Sequence, residues 1–237
     1  MATEQAAGWL IHKHQIGPKY TQLSVFTREV GVVQVRARSQ MLLKKNDAVQ
    51  LFTLLWCSID TRAYGTYLQK IEPLGATQSL IGHYGLVGLY LNELIYRLLP
   101  LQQPEELLFA SYACSLQALV LRPSAFELEV ILRRFEWQLL LAAGVLVSFT
   151  ETSDNMAPVD PDKYYTFNPS TGFSVAHQGY LGAHLLAIGR DELHCTQVLR
   201  SAKHLMRQAI DHLLNWVPLH SRRLYRYSIH NNHHSTG

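Results

Sequence analysis

The apolar residues of this chain change their spacing once, between Pro73 and Leu80, from every second position to every third and fourth. A period of two places alternate side chains on opposite faces of a strand, whereas a period near 3.6 draws a stripe along one side of a helix. The chain is therefore expected to fold as strands first and helices after, in an α+β arrangement.

The strand half is clearest at Val32-Val33-Gln34-Val35-Arg36-Ala37-Arg38. Val33, Val35 and Ala37 face one way, and Gln34, Arg36 and Arg38 the other. Further strands are predicted over residues 8–14, 23–28, 50–59 and 64–72, separated by Gly17-Pro18 and by a turn at Glu29-Val30-Gly31, and ended by Pro73. Five short strands rich in β-branched and aromatic residues point to a small closed barrel compatible with the OB-fold. Strand count alone does not separate it from other small barrels.

From Ser79 onward Leu80, Tyr84, Val87, Leu91, Leu94, Ile95 and Leu98 mark a helix that Pro100 ends. Pro104-Glu105-Glu106 opens a second helix, running to about Leu121, with proline and acids in its first turn. Ser124-Ala125-Phe126-Glu127 matches a capping box for a third, with Gly144 as its stop. Residues 150–175, with Pro158, Pro161 and Pro169, read as a loop or hairpin insert. Helical spacing returns over residues 180–188 and 196–215. The expected organisation is an OB-like barrel over residues 1–79 and an all-helical domain over 80–237 with a small irregular insert.

Net charge is only +3, but its distribution is uneven. Residues 1–79 hold nine Lys/Arg against five acids, a balance of +4, while the remainder holds twelve against thirteen, or −1. A basic lobe on a near-neutral one suits a polyanion-binding module on a scaffold, or is ordinary scatter. The most apolar run, residues 139–147, is about half of the roughly 20 residues a membrane span needs. The start Met1-Ala2-Thr3-Glu4-Gln5 lacks the pattern of a signal peptide. Cys57, Cys114 and Cys195 lie far apart, so no disulfide framework is expected and a reducing cytoplasm fits best. Among twelve histidines there is no His-Glu-x-x-His; His194-Cys195 is the one adjacent soft pair, and no metal or other cofactor is expected. Gly-x-Ser-x-Gly, Walker and Gly-x-Gly-x-x-Gly motifs are absent, so no catalytic residue is named and the chain is not read as an enzyme.

Several segments resemble the RecO family of bacterial recombination mediators. They are Gly88-Leu89-Tyr90-Leu91-Asn92-Glu93-Leu94, then Leu132-Arg133-Arg134-Phe135-Glu136 with Leu139-Leu140, and Ala202-Lys203-His204-Leu205-Met206-Arg207. The segment from Pro218-Leu219-His220-Ser221-Arg222-Arg223 to Arg226 follows. In the strand half Phe26-Thr27-Arg28-Glu29-x-Gly31 and Gln50-Leu51-Phe52-Thr53 are similar to family segments, and all occur in the family's order. Three features depart from it: Leu51 and Leu54 stand where prolines are common, Arg36-Ala37-Arg38-Ser39 lacks a glycine, and residues 150–175 lack the four cysteines of some members. The last removes the expectation of a structural zinc. The resemblance implies a mediator that binds single- and double-stranded DNA and anneals complementary strands. With the partner RecR it would promote RecA loading on strands coated by single-stranded-DNA-binding protein, whose acidic C-terminal tail it would bind. It also implies a cytoplasmic, nucleoid-associated place.

An OB-type barrel pairs phosphates with Lys/Arg and stacks bases on aromatic rings. Candidates are Lys13, Lys19, Arg36, Arg38, Lys44 and Lys45, with Tyr20, Tyr64 and Tyr67 as stacking surfaces; each cation is otherwise a solvated surface charge. Trp9, Phe26, Phe52 and Trp56 read as barrel core. Lys203, Arg207, Arg222 and Arg223 form a second basic group, either a DNA contact or a docking face for RecR. Arg133 and Arg134, beside Leu132 and Phe135, suit an apolar pocket rimmed by arginine for the tail peptide, or pair within the helix with Glu129 or Glu136. Two other readings stay open: a scaffold whose barrel binds an acidic partner, and a hydrolase.

Overall fold

The computed structural model describes residues 2–43 and 49–225. Lys44 and Lys45 lie outside them. Five strands, β1 (Ala2–Ile16), β2 (Tyr20–Thr27), β3 (Gly31–Arg38), β4 (Leu54–Arg62) and β5 (Gly65–Pro73), close into a barrel in the order β1-β2-β3-β5-β4. All pairings are antiparallel except β3 with β5. This closed five-stranded barrel fits the OB-fold. The period-two reading of β3 holds: Val33, Val35 and Ala37 are buried, while Arg36 and Arg38 are exposed. The interior is aliphatic, with Leu10, Leu23, Val25, Val35, Leu55, Cys57, Ile59 and Ile71 at its centre. Burial there pushes the Cys57 thiol up to about 12, leaving it inert as a nucleophile.

None of the four aromatic residues expected in that interior occupies it. Five strands enclose less space than the eight whose interior side chains just fill a barrel. Phe26 instead meets Phe109 and Tyr112 of α3 (Glu106–Val120), at ring-centroid distances of 5.5 and 6.2 Å, and Trp9 meets Tyr112 at 6.0 Å. Phe52 packs where Gly88 of α2 (His83–Leu98) lacks a side chain; a Cβ there would lie 2.9 Å from its ring. Trp56 is half-buried on the outside. Phe52 also explains why β4 starts at Leu54 rather than at Gln50. Its φ of 64° is left-handed, which takes the chain out of the strand path before β4 begins. A short helix, α1 (Ser39–Leu43), follows β3 and was not anticipated.

The chain divides into two compact units, residues 1–122 with 219–237, and residues 123–218. The change of period near residue 75 is thus internal to the first unit, which holds the barrel, α2 and α3. In that unit the Tyr112 hydroxyl donates to Asn92 Oδ1. Glu93 receives the backbone N–H groups of His220 and Ser221, each at 2.8 Å, and the Ser221 hydroxyl at 2.6 Å. Asn92-Glu93 and the Pro218–Arg223 segment, far apart in sequence, therefore meet: the carboxylate caps the helical turn over residues 220–225.

In the second unit α4 (Ala125–Ala142) begins at the expected capping box, with Glu127 N donating to Ser124 Oγ and Ser124 N to Glu127 Oε2. The insert contains the hairpin β6 (Tyr164–Asn168) and β7 (Gly172–Ala176). It is more regular than expected, because β8 (Tyr180–Leu181) adds a third strand on β6. Helices α5 (Gly182–Gly189) and α6 (Thr196–Leu213) complete the unit. No helix among the described residues is long and apolar enough to cross a membrane.

Candidate nucleic-acid interface

Strand register decides which side chains share the barrel's outer face. Tyr20 lies opposite Arg38, Gln22 opposite Arg36, and Arg36 beside Tyr67 across the parallel β3–β5 pair. On β4 the inward set Leu55, Cys57 and Ile59 turns Trp56, Ser58 and Arg62 outward. The result alternates rings and cations. Tyr20 and Tyr67 approach edge-on with centroids 6.4 Å apart, and the Arg62 guanidinium sits 5.3 Å from the Tyr67 centroid. Lys70 Nζ lies 5.6 Å from the Trp56 ring and 2.9 Å from Glu72. Arg36 Nη1 donates to the Tyr64 carbonyl at 3.5 Å. That bond tethers the β4–β5 turn, whose tip displays Tyr64 at 88% exposure.

Arg36 and Arg38 have no acidic partner among the described residues, nor does Lys19 in the β1–β2 turn. Lys13 stands apart, its Nζ donating to the Val49 carbonyl at 3.5 Å. In OB-type barrels the β2–β3 face and the β1–β2 and β4–β5 loops hold oligonucleotides, and Lys19, Tyr64, Tyr20, Arg36 and Arg38 fall in those places. The sequence reading missed Arg62, Lys70 and the outward Trp56. Alternation along 54–62 carried the signal, but the expected strand began too early to fix its phase.

The second unit disposes of its cations differently. Arg133 is only 5% exposed and bonds Glu136 at 2.9 Å, with Glu129 at 3.9 Å. The pairing within the helix is therefore the arrangement found, and the side chain does not rim a surface pocket. A buried guanidinium needs such a carboxylate to offset its lost hydration. Phe135 is fully buried and Leu132 partly so. Arg134 is exposed and held by Asp191, its Nε 3.0 Å from both carboxylate oxygens and its Nη2 2.8 Å from one. Lys203 bonds Glu129 at 2.6 Å and Arg207 lies 3.5 Å from Asp211. In the first unit Arg222 lies over Tyr90 at 5.7 Å, with Arg223 exposed beside it in sequence.

For catalysis or metal the arrangement offers little. His184 Nδ1 and Ser201 Oγ are 2.8 Å apart, but among the described residues no carboxylate bonds the other nitrogen of His184 to complete a triad. The described residues also contain no group of three or more His, Cys, Asp or Glu able to hold a metal ion.

Barrel, outer face and helical continuation together define an OB-fold protein with a basic, aromatic surface. Residues 83–223 match the family model described as "Recombination protein O C terminal". The chain is 38% identical over 226 residues to the DNA repair protein RecO of Legionella pneumophila (strain Corby), covering 95% of this chain and 99% of that protein. It is 33% identical over 231 residues to the DNA repair protein RecO of Pseudomonas putida (strain W619), covering 94% and 99%. It is 31% identical over 235 residues to that of Pseudoalteromonas atlantica (strain T6c / ATCC BAA-1087), covering 95% of each. The chain belongs to the RecO family of DNA repair proteins.

Proposed function

We propose that this protein is a recombination mediator that binds single- and double-stranded DNA on the outer face of its barrel and anneals complementary strands. With RecR it promotes RecA loading on single strands coated by single-stranded-DNA-binding protein. The observation that carries the reading is Arg36 and Arg38, which no described acid holds, set beside Tyr20 and Tyr67 on the outer face, with Arg62 over Tyr67 and Lys70 beside Trp56. Cations neutralise phosphates and release counterions, and rings hold unstacked bases. Annealing makes and breaks no covalent bond, so the role needs no catalytic group. It needs two strands held close with their charge screened. The acidic tail of the coating protein is taken at Arg134 with Leu132 on α4, Arg133 and Phe135 supporting that helix from within, and Arg222 and Arg223 serve RecR docking. The protein works in the cytoplasm, at the nucleoid.

A strand-annealing assay with and without the coating protein tests this. Arg36→Glu/Arg38→Glu is expected to slow annealing of bare strands by at least about tenfold, since two phosphate contacts become repulsions. Annealing of bare strands at the wild-type rate by that variant would refute the reading.

A further inference from the structure

Asp60 is an acid in the middle of a surface proposed to bind a polyanion, and it is 94% buried, with 6% exposure. A buried carboxylate is costly unless it is paired and hydrogen-bonded. Here the pairing is partial. Oδ2 accepts from Arg62 Nε at 2.7 Å and from Gln69 Nε2 at 3.2 Å, while Oδ1 has no hydrogen-bond partner among the described residues. A group kept in so poor a setting calls for an explanation. Its neighbours supply one. By binding Nε, Asp60 holds the Arg62 guanidinium over the Tyr67 ring, its carbon 5.3 Å from the ring centroid, and Tyr20 approaches that ring edge-on. The terminal nitrogens of Arg62 bond no other described residue, and its side chain is 46% exposed.

We propose that Arg62 and Tyr67 form a layered platform on which one unstacked nucleobase of a single strand lies, with Asp60 as the residue that positions Arg62. A guanidinium is planar and weakly hydrated, so its outer face stacks on a base while the terminal N–H groups reach the adjoining phosphate. An unfixed arginine would give up side-chain entropy on each encounter; one locked by a buried carboxylate has already done so. Duplex DNA can use the Arg62 charge, but with its bases stacked within the helix it gains nothing from the stacking surface of the platform. This inference rests on the proposed DNA binding at the barrel and adds to it a place where single strands are told from duplex.

The proposal makes an electrostatically perverse prediction that separates it from simple charge attraction. Removing a negative charge from a DNA-binding face ordinarily tightens binding. Asp60→Asn in the full-length protein is expected instead to weaken binding of a short oligodeoxythymidylate about fivefold to tenfold, the size of one lost base stack. It should leave duplex affinity unchanged or slightly raised. Arg62→Lys keeps the charge on an exposed side chain and does not threaten the fold; it should show the same single-strand loss. Both losses should vanish on a strand whose bases are replaced by abasic sites. Fluorescence of a 2-aminopurine in the strand, quenched by stacking in the wild type, should stay high in both variants. Single-strand affinity that rises in Asp60→Asn, or a loss that persists on abasic strands, would overturn the platform. If Arg36→Glu/Arg38→Glu abolishes binding while Asp60→Asn and Arg62→Lys behave as wild type, barrel binding stands and the platform falls. If none of these variants alters strand binding, both fall.

Discussion

At the scale of single residues, the most consequential carboxylate outside the barrel face is Glu93. Burial alone pulls its pKa up, but the hydroxyl and N–H groups of Ser221, the N–H of His220 and the His220 charge outweigh that and hold it below its ordinary 4.5. A carboxyl whose folded pKa is depressed contributes stability above its unfolded pKa and loses it as pH falls through the folded value. Glu93→Gln removes the charge from a helix start, where an anion is favoured, and is expected to cost about 1–2 kcal/mol near neutral pH. Urea unfolding at a series of pH values checks this: the gap between wild type and variant should be present near neutral pH and close as pH drops below about 4. A gap that stayed open in strong acid, where the carboxyl is protonated, would mean that Glu93 is not the cap described. The same residue explains a pairing of motifs that sequence order hides. Asn92-Glu93 and Ser221 are 128 positions apart between hydrogen-bonded partners, yet one carboxylate joins them.

At the scale of elements, the insert, which has no cysteines, is built around an aromatic cluster. Phe173 is fully buried between Phe167 and Phe149, at 5.1 and 5.7 Å, and Trp137 of α4 meets Phe149 at 4.9 Å. The Tyr165 hydroxyl accepts from Asp160 N at 2.8 Å, fixing the loop that precedes the hairpin. An aromatic cluster holds the small sheet, so excess chelator should leave the thermal unfolding midpoint unchanged, while Phe173→Ala should cost about 3–5 kcal/mol. A midpoint that fell by several degrees with chelator would point to a bound metal instead. Elements also mark how far the sequence could be read. Strand β3 and the start of α4 were legible because alternation and the capping box are local signals. The faces of β1 and β5 were not, because an extra residue between Leu10 and His12 on β1 and between Leu68 and Lys70 on β5 breaks the phase of alternation. An aromatic residue's hydrophobicity says that it will be buried, not on which side of a barrel wall. That is why Trp9 and Phe26 were expected inside and are found against α3. Arg133 was ambiguous for a related reason: Glu129 and Glu136 were in reach at helical spacing, but only packing decides that the guanidinium turns inward.

At the scale of the whole molecule, the compact units sharpen the charge asymmetry that the strand-to-helix change suggested. Residues 1–122 with 219–237 hold fourteen Lys/Arg against eight acids, a balance of +6, and residues 123–218 hold seven against ten, or −3. The acids of the second unit also stand against its cations: Glu129 with Lys203, Asp211 with Arg207, Asp191 with Arg134 and Glu192 with Arg190. A phosphate arriving there must displace a carboxylate before it gains a contact. At Arg36 and Arg38 it meets guanidinium groups that no described acid has claimed. On single strands each phosphate contact adds about 0.7 to the slope of log affinity against log salt. Arg36→Glu/Arg38→Glu should therefore flatten that slope by about 1.4. Lys203→Glu/Arg207→Glu should flatten it by less than half as much, because those charges are already largely neutralised. Titrating a labelled oligodeoxythymidylate at several salt concentrations gives both slopes. Equal flattening by the two double variants would mean that DNA engages the second unit as strongly as the barrel. The ion pairs of α6 would then have to be open when DNA is bound, and the charge of a unit would be a poor guide to where its polyanion sits.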